Sequence, residues 1–257
     1  MNLLNLFLIF IINSLFTNKQ VCDIVMPKKG GIPMGYRLDN KEVDLTGKRL
    51  AKIDSGTTGN VYRYKNSALK MFKPGRDNPL DEETARYLTG ISTSRILLPR
   101  NLLFYNNAFR GYTYKLVSKK GVGKRMIMLP KDELLSNISI LERDVEVLSA
   151  KSVLLDGIEP DNSIFNGYLY LVDPGKYTIL DLIQTEDLEK LNKYQLHLLL
   201  TSIISLELRK NNIDAYYERK FKEIMDSKDE LEDTSYFIQD VIDGNDSIKQ
   251  FIKKMEM

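Results

Sequence analysis

Lys70 is the one charged side chain in the apolar run Ser67-Ala68-Leu69-Lys70-Met71-Phe72. An ammonium group there must pair or reach solvent, because burying it alone is costly. Upstream lies a glycine turn, Ile53-Asp54-Ser55-Gly56-Thr57-Thr58-Gly59-Asn60-Val61-Tyr62. Gly56 and Gly59 allow a backbone to approach phosphate oxygens closely and to offer them N–H groups. Downstream come Asp156-Gly157-Ile158-Glu159-Pro160-Asp161-Asn162 and Leu171-Val172-Asp173-Pro174-Gly175. Carboxylates, carboxamides, lysine and backbone amides together suit phosphate and Mg²⁺. Each segment also has a plainer reading. The glycines make a hairpin turn, the lysine faces solvent from an edge strand, and Asp156-Gly157 and Asp173-Pro174-Gly175 are turn sequences.

Composition narrows the chemistry to those groups. The 257 residues include a single cysteine, Cys22, and a single histidine, His197. An internal disulfide, a multi-cysteine metal site and a His-rich centre are therefore excluded. The 37 basic and 35 acidic residues leave a net charge of +2, which provides no global field for nucleic acid. Apolar residues at 43% and charged residues at 28% are ordinary for a globular protein with one or two cores.

The elements that must position these groups read as follows. Leu3 to Phe16 is apolar but interrupted by Asn5 and Asn13, and is short of the roughly 20 residues a spanning helix takes. It is either an extension preceding a start near Met26 or a weak signal or membrane-associating segment. The expected location is cytoplasmic, with membrane association only if residues 3–16 are retained. Residues 26–40, rich in Gly, Pro and Lys, read as linker. A β-rich region over 41–117 is expected to hold strands at Arg49–Ile53, Asn60–Tyr64, Ala68–Phe72, Leu102–Tyr105 and Tyr112–Val117. One helix starts near Asn78-Pro79, with Pro79 in its first turn and Asp81, Glu82 and Glu83 near its positive end.

Residues 118–257 read as mostly helical. Leu134, Ile138, Leu141, Val145 and Leu148 recur at helical spacing, and further helices are expected over 186–209, 213–226 and 231–242. Asn166-Gly167 between two short apolar stretches predicts a hairpin. Lys115, Lys119, Lys120, Lys124 and Arg125 form a basic stretch with no acid among them. It reads as a solvated loop or as a contact for an anionic partner. Tyr216, Tyr217 and Phe221 read as core.

In this order the segments resemble the protein-kinase fold over roughly Leu45 to Leu208. The resemblance implies an α+β, bilobal architecture with a β-rich N-lobe and a helical C-lobe. It also implies ATP and Mg²⁺ between the lobes. Ile53, Gly56, Gly59 and Val61 would cover the nucleotide. Lys70 would hold its α- and β-phosphates, braced by Glu83 or, alternatively, Glu82. Asn162 and Asp173 would bind Mg²⁺. Asp156 would act as the base, because Gly157 stands where the family has its catalytic aspartate. Asp54, Pro174 and Asn192 also replace family residues, and no Ala-Pro-Glu follows Gly175. Asn192 would begin a core helix in which His197 is a structural residue without an acid–base partner. The implied function is an ATP-dependent phosphotransferase of unknown acceptor. The alternatives are a nucleotide-binding pseudokinase acting as an interaction module, or a small-molecule kinase of the aminoglycoside type.

Overall fold

One seven-stranded antiparallel sheet dominates the first half of the protein. Its strands are β1 (Tyr36–Leu38), β2 (Lys41–Val43), β3 (Ala51–Ser55), β4 (Gly59–Tyr64), β5 (Ser67–Phe72), β6 (Asn101–Tyr105) and β7 (Ala108–Lys115). Their spatial order is β2-β1-β6-β7-β5-β4-β3. The computed structural model describes residues 35–45, 50–75, 79–118, 128–210 and 243–255, with Met126, Ala215, Arg219, Ile238 and Val241 as single positions. These residues belong to one compact unit.

Tight turns set the sheet register. Asn106 and Asn107 join β6 to β7 with φ of 51° and 65°, the left-handed pair that a two-residue hairpin needs and that Asn tolerates. The five expected strands are all present, with ends displaced by a few residues. The linker expectation needs correction at its end. Residues 36–38 form β1, which pairs with β6, and the Tyr36 ring meets Tyr105 at 4.7 Å. Three residues are too few for alternation to stand out beside a Gly/Pro/Lys-rich segment.

Helix α1 (Glu82–Thr89) begins after Asp81, whose carboxylate accepts from the Thr84 backbone N–H at 2.8 Å and from its hydroxyl at 2.7 Å. Pro79 therefore precedes the cap and is not in the first turn as expected. A side-chain cap satisfies an otherwise orphaned N–H and so fixes the helix start. Helix α2 (Lys131–Ser149) buries Leu134, Ile138, Leu141, Val145 and Leu148, the expected stripe. Short pieces follow: β8 (Val153–Leu154), a 3₁₀ turn (Pro160–Asn162), β9 (Ser163–Phe165), β10 (Leu169–Leu171) and β11 (Thr178–Ile179). β9 and β10 form the hairpin expected at Asn166-Gly167, and β8 pairs with β11. Helix α3 (Thr185–Lys210) matches the 186–209 expectation, while α4 (Ile248–Met255) was not anticipated. The helices expected over 213–226 and 231–242 lie outside the described residues but for single positions, as do Tyr216, Tyr217 and Phe221. The fold is thus α+β. Among the described residues, no helix is long and apolar enough to cross a membrane.

One core joins sheet and helices, with Phe72, Leu88, Leu102, Tyr112, Leu141, Val153, Leu200 and Ile252 in a single buried cluster. Each such Leu or Ile contributes about 1.5–3 kcal/mol on burial. Buried polar residues fix the loops between elements. Asp144 of α2 accepts the backbone N–H groups of Ser94, Arg95 and Ile96 at 2.8, 2.5 and 2.9 Å. Asn192 of α3 accepts from Leu155 N at 2.7 Å and donates to Val153 O at 2.8 Å and Ser149 Oγ at 3.0 Å. The loop carrying Asp156 is thereby tied to the longest helix.

Candidate functional site

A cleft of about 990 Å³ lies between the glycine turn and the segment around Asn162 and Asp173. Ile53, Gly56, Gly59, Val61, Lys70, Asn162 and Asp173 all line it. The chain therefore gathers into one hollow seven of the nine residues singled out from sequence.

The upper wall is the β3–β4 hairpin. Gly56 N–H donates to Gly59 O at 2.9 Å, and Lys73 N–H to Thr58 O at 3.0 Å. The Lys73 ammonium donates to Gly56 O at 2.5 Å, so a side chain from the end of β5 holds the turn down. A Cβ at Gly59 would sit 2.8 Å from Met71 O and 3.2 Å from the Lys70 stem. Only glycine lets β4 lie that close over the lysine.

Lys70 is buried, at 3% exposure, and pairs in register with Val61 of β4 and Tyr112 of β7. Its ammonium donates to Asp173 Oδ1 across the cleft. The Tyr112 hydroxyl donates to the same oxygen at 3.2 Å. Burial first, and the Asp173 charge second, push the Tyr112 hydroxyl far above its ordinary pKa. The same two causes push up Tyr114 and Tyr177. These phenols are neutral throughout the physiological range, and Tyr112 is a fixed donor to Asp173.

Asp173 has φ of 66°, a left-handed conformation unusual outside glycine. A Cβ at Gly175 would meet Asp173 Oδ1 at 3.3 Å and Pro79 Cβ at 3.0 Å. The Asp-Pro-Gly turn is thus shaped closely around the carboxylate. Asn162 closes the 3₁₀ turn, and its carbonyl accepts from Val172 N–H at 2.8 Å. That bond sets Asn162 beside the residue preceding Asp173. One carboxylate and one carboxamide lining the cleft would suit a Mg²⁺ ion, which keeps waters and takes its remaining ligands from phosphates. Among the described residues no three His, Cys, Asp or Glu side chains cluster as metal ligands.

Three expectations are corrected. Glu83 does not brace Lys70, because it is exposed on α1 and the ammonium is taken by Asp173. The alternative, Glu82, pairs with Arg86 along the same helix at 2.8 Å. Asp156 does not line the cleft; Glu159 and Asp161 are the carboxylates of that loop that do. At position 157 the left-handed glycine, φ 61°, is covered by the Lys176 stem. His197 is a buried helix residue as expected, but it has a partner: Glu142 Oε1 lies 3.0 Å from its Nε2. That hydrogen bond holds Glu142 below the ordinary carboxylate range. The pair does not line the cleft.

Sequence reasoning missed Lys73, Lys210, Tyr112 and Asp161 as cleft or site residues. Tyr112 carried a weak signal, since the alternation of β7 puts it on the same face as Tyr114. Lys73 and Lys210 carried none, because an end-of-strand or end-of-helix lysine ordinarily faces water. No protein-family model matches the chain, and a search of curated proteins finds no match to it.

Proposed function

We propose that the cleft binds a Mg²⁺–nucleotide complex, within a bilobal, protein-kinase-like arrangement of sheet and helical lobes, and that the chain serves as a nucleotide-binding interaction module. The carrying observation is the meeting of the Lys70 ammonium with Asp173, 103 residues away in sequence, beneath the glycine turn. In this reading the N–H groups of the Gly56–Gly59 turn and the ammonium groups of Lys70 and Lys73 take the phosphates. Asn162 and Asp173 hold Mg²⁺, which supplies charge neutralisation on the phosphate oxygens. Val61 and Ile53 offer apolar surface to the base. ATP is the expected nucleotide. Binding exchanges the internal Lys70–Asp173 pair for two new ones, lysine to phosphate and aspartate to metal.

The binding-module reading is preferred because the predicted base, Asp156, is not among the cleft residues and position 157 has no side chain. A second reading, an ATP-dependent phosphotransferase of unknown acceptor, is favoured by one observation. Asp161 lines the cleft next to Asn162 and could accept a hydroxyl proton there. Protein or small-molecule acceptors both fit this reading.

Thermal denaturation with ATP, with and without Mg²⁺, tests the binding. A Mg²⁺-dependent rise in Tm in the wild type but not in Asp173→Ala is expected. No rise in the wild type would overturn the proposal. Release or transfer of the γ-phosphate by wild type, Asp173→Ala and Asp161→Asn separates the two readings. Equal low rates in all three support the module, and loss in both variants supports the enzyme.

A further inference from the structure

A second hollow, of about 570 Å³, shares no lining residue with the cleft. It is walled by the loop between α1 and β6 and by the end of β7, and Arg95, Arg100 and Lys115 bring three cations to it. No carboxylate lines it, and none of the three cations has a carboxylate partner among the described residues. Asp144, which anchors this loop, is buried and already accepts three of its backbone N–H groups.

Two of the cations, Arg95 and Lys115, converge on one ring. Arg95 Cζ lies 4.8 Å from the centre of Tyr170 and 4.0 Å from that of Tyr168. Lys115 Nζ lies 5.3 Å from the Tyr170 centre. One Arg95 terminal nitrogen donates to the Tyr170 hydroxyl, yet its Nε is buried with no hydrogen-bond partner. A guanidinium has five donors in a fixed fork, and leaving a buried one unmet is costly. Aromatic faces offset part of the repulsion between two cations but do not neutralise them. An anion in the hollow would relieve that repulsion.

We infer that this hollow is an anion site whose ligand is a phosphate monoester. Three cations call for a dianion, the guanidinium forks match phosphate geometry, and Ser92 and Ser94 add hydroxyls along the same wall. Lys115 begins the basic stretch noted in the sequence, whose other members, Lys119, Lys120, Lys124 and Arg125, lie outside the described residues. Nucleic acid is a poorer match, since the chain as a whole is nearly charge-balanced.

The test is isothermal titration of the full chain with phenyl phosphate and with a phosphoserine hexapeptide, using the unphosphorylated peptide as control. Saturable binding of the phosphorylated probes is expected in the wild type and in Lys70→Met, which disables the cleft. Arg100→Gln and Lys115→Gln, both at exposed positions, should each weaken it about tenfold. Arg95→Gln should abolish it. Tighter binding of the peptide than of phenyl phosphate supports a phosphorylated chain as the natural source; equal affinity supports a free ester. Binding that survives Arg100→Gln and Lys115→Gln unchanged but disappears in Lys70→Met would assign the anion to the cleft and overturn the inference. So would the lack of saturable binding in wild type.

Discussion

The protein holds its cations in two contrasting ways. In the cleft, Lys70 is buried and matched by an acid, with Tyr112 completing the contact. In the hollow beside β7, Arg95 and Lys115 meet over the Tyr170 ring and Arg100 joins them in the lining, with no acid there. The cleft is pre-neutralised, so a nucleotide bound there as proposed would have to bring its own counter-ion to part the pair. The hollow is uncompensated, so an anion can enter directly.

Removing the acid from the paired site should do most damage. Asp173→Ala leaves an ammonium at 4% side-chain exposure without a partner and should destabilise the free protein by about 3 kcal/mol in chemical denaturation, the low end for a buried pair because Asp173 keeps 30% exposure. Lys70→Met at the same pair should cost less, since the remaining carboxylate can hydrate. Equal losses would mean that the two ends are not differently buried in solution. Next comes Asp144→Ala, which orphans three backbone N–H groups of the loop bearing Arg95 and should cost about 2–3 kcal/mol. Hydrogen exchange at Ser94, Arg95 and Ile96 should accelerate selectively. Slow exchange there would show the loop to be held by other means.

His197 and Glu142 form an intermediate case, a buried imidazole against a half-exposed carboxylate. The hydrogen bond from His197 lowers the Glu142 pKa. Its contribution to stability is therefore present above the ordinary carboxylate value and lost as pH falls through the lower folded value. Glu142→Gln should lower stability near neutral pH by less than about 1 kcal/mol. Its denaturation curve should merge with that of wild type in strong acid, and a constant offset down to low pH would refute the linkage. The smallest effect belongs to the unpaired site. Arg100→Gln should leave stability within about 0.5 kcal/mol, with any change in the stabilising direction. A clear loss would mean that Arg100 has a partner after all.

The two regions also differed in how legible they were. The cleft could be read because its groups sit at positions where one residue type is needed. Gly59 must be glycine beneath β5, and a lysine in an apolar strand must find an oxygen. The choice of oxygen could not be read. Glu83 and Asp173 were equally acidic as letters, and only the packing of α1, which turns Glu83 outward, decides between them. Asp156 failed for a related reason, since the loop from Leu155 to Asn162 follows the Asn192 hydrogen bonds and not any local periodicity. The second hollow was nearly invisible. Arg95, Arg100, Lys115 and Tyr170 are scattered over three elements or loops, and Arg95 is brought to Tyr170 by tertiary bonds, Leu97 N–H to Leu171 O and Leu171 N–H to Arg95 O. The fold was read best where alternation or helical spacing was long, and worst in the three-residue strands β1 and β2.

The sheet's outermost member on the glycine-turn side has a further consequence. All five residues of β3 are exposed, and its pairing with β4 slips between Lys52 and Asp54. A regular, apolar margin of that kind would template the addition of a strand from a neighbouring molecule. The irregular step and the two opposite charges deny a newcomer a continuous ladder. The irregular, charged margin beside the cleft therefore guards against self-assembly, and straightening it by deleting one residue there should make the protein prone to fibril formation.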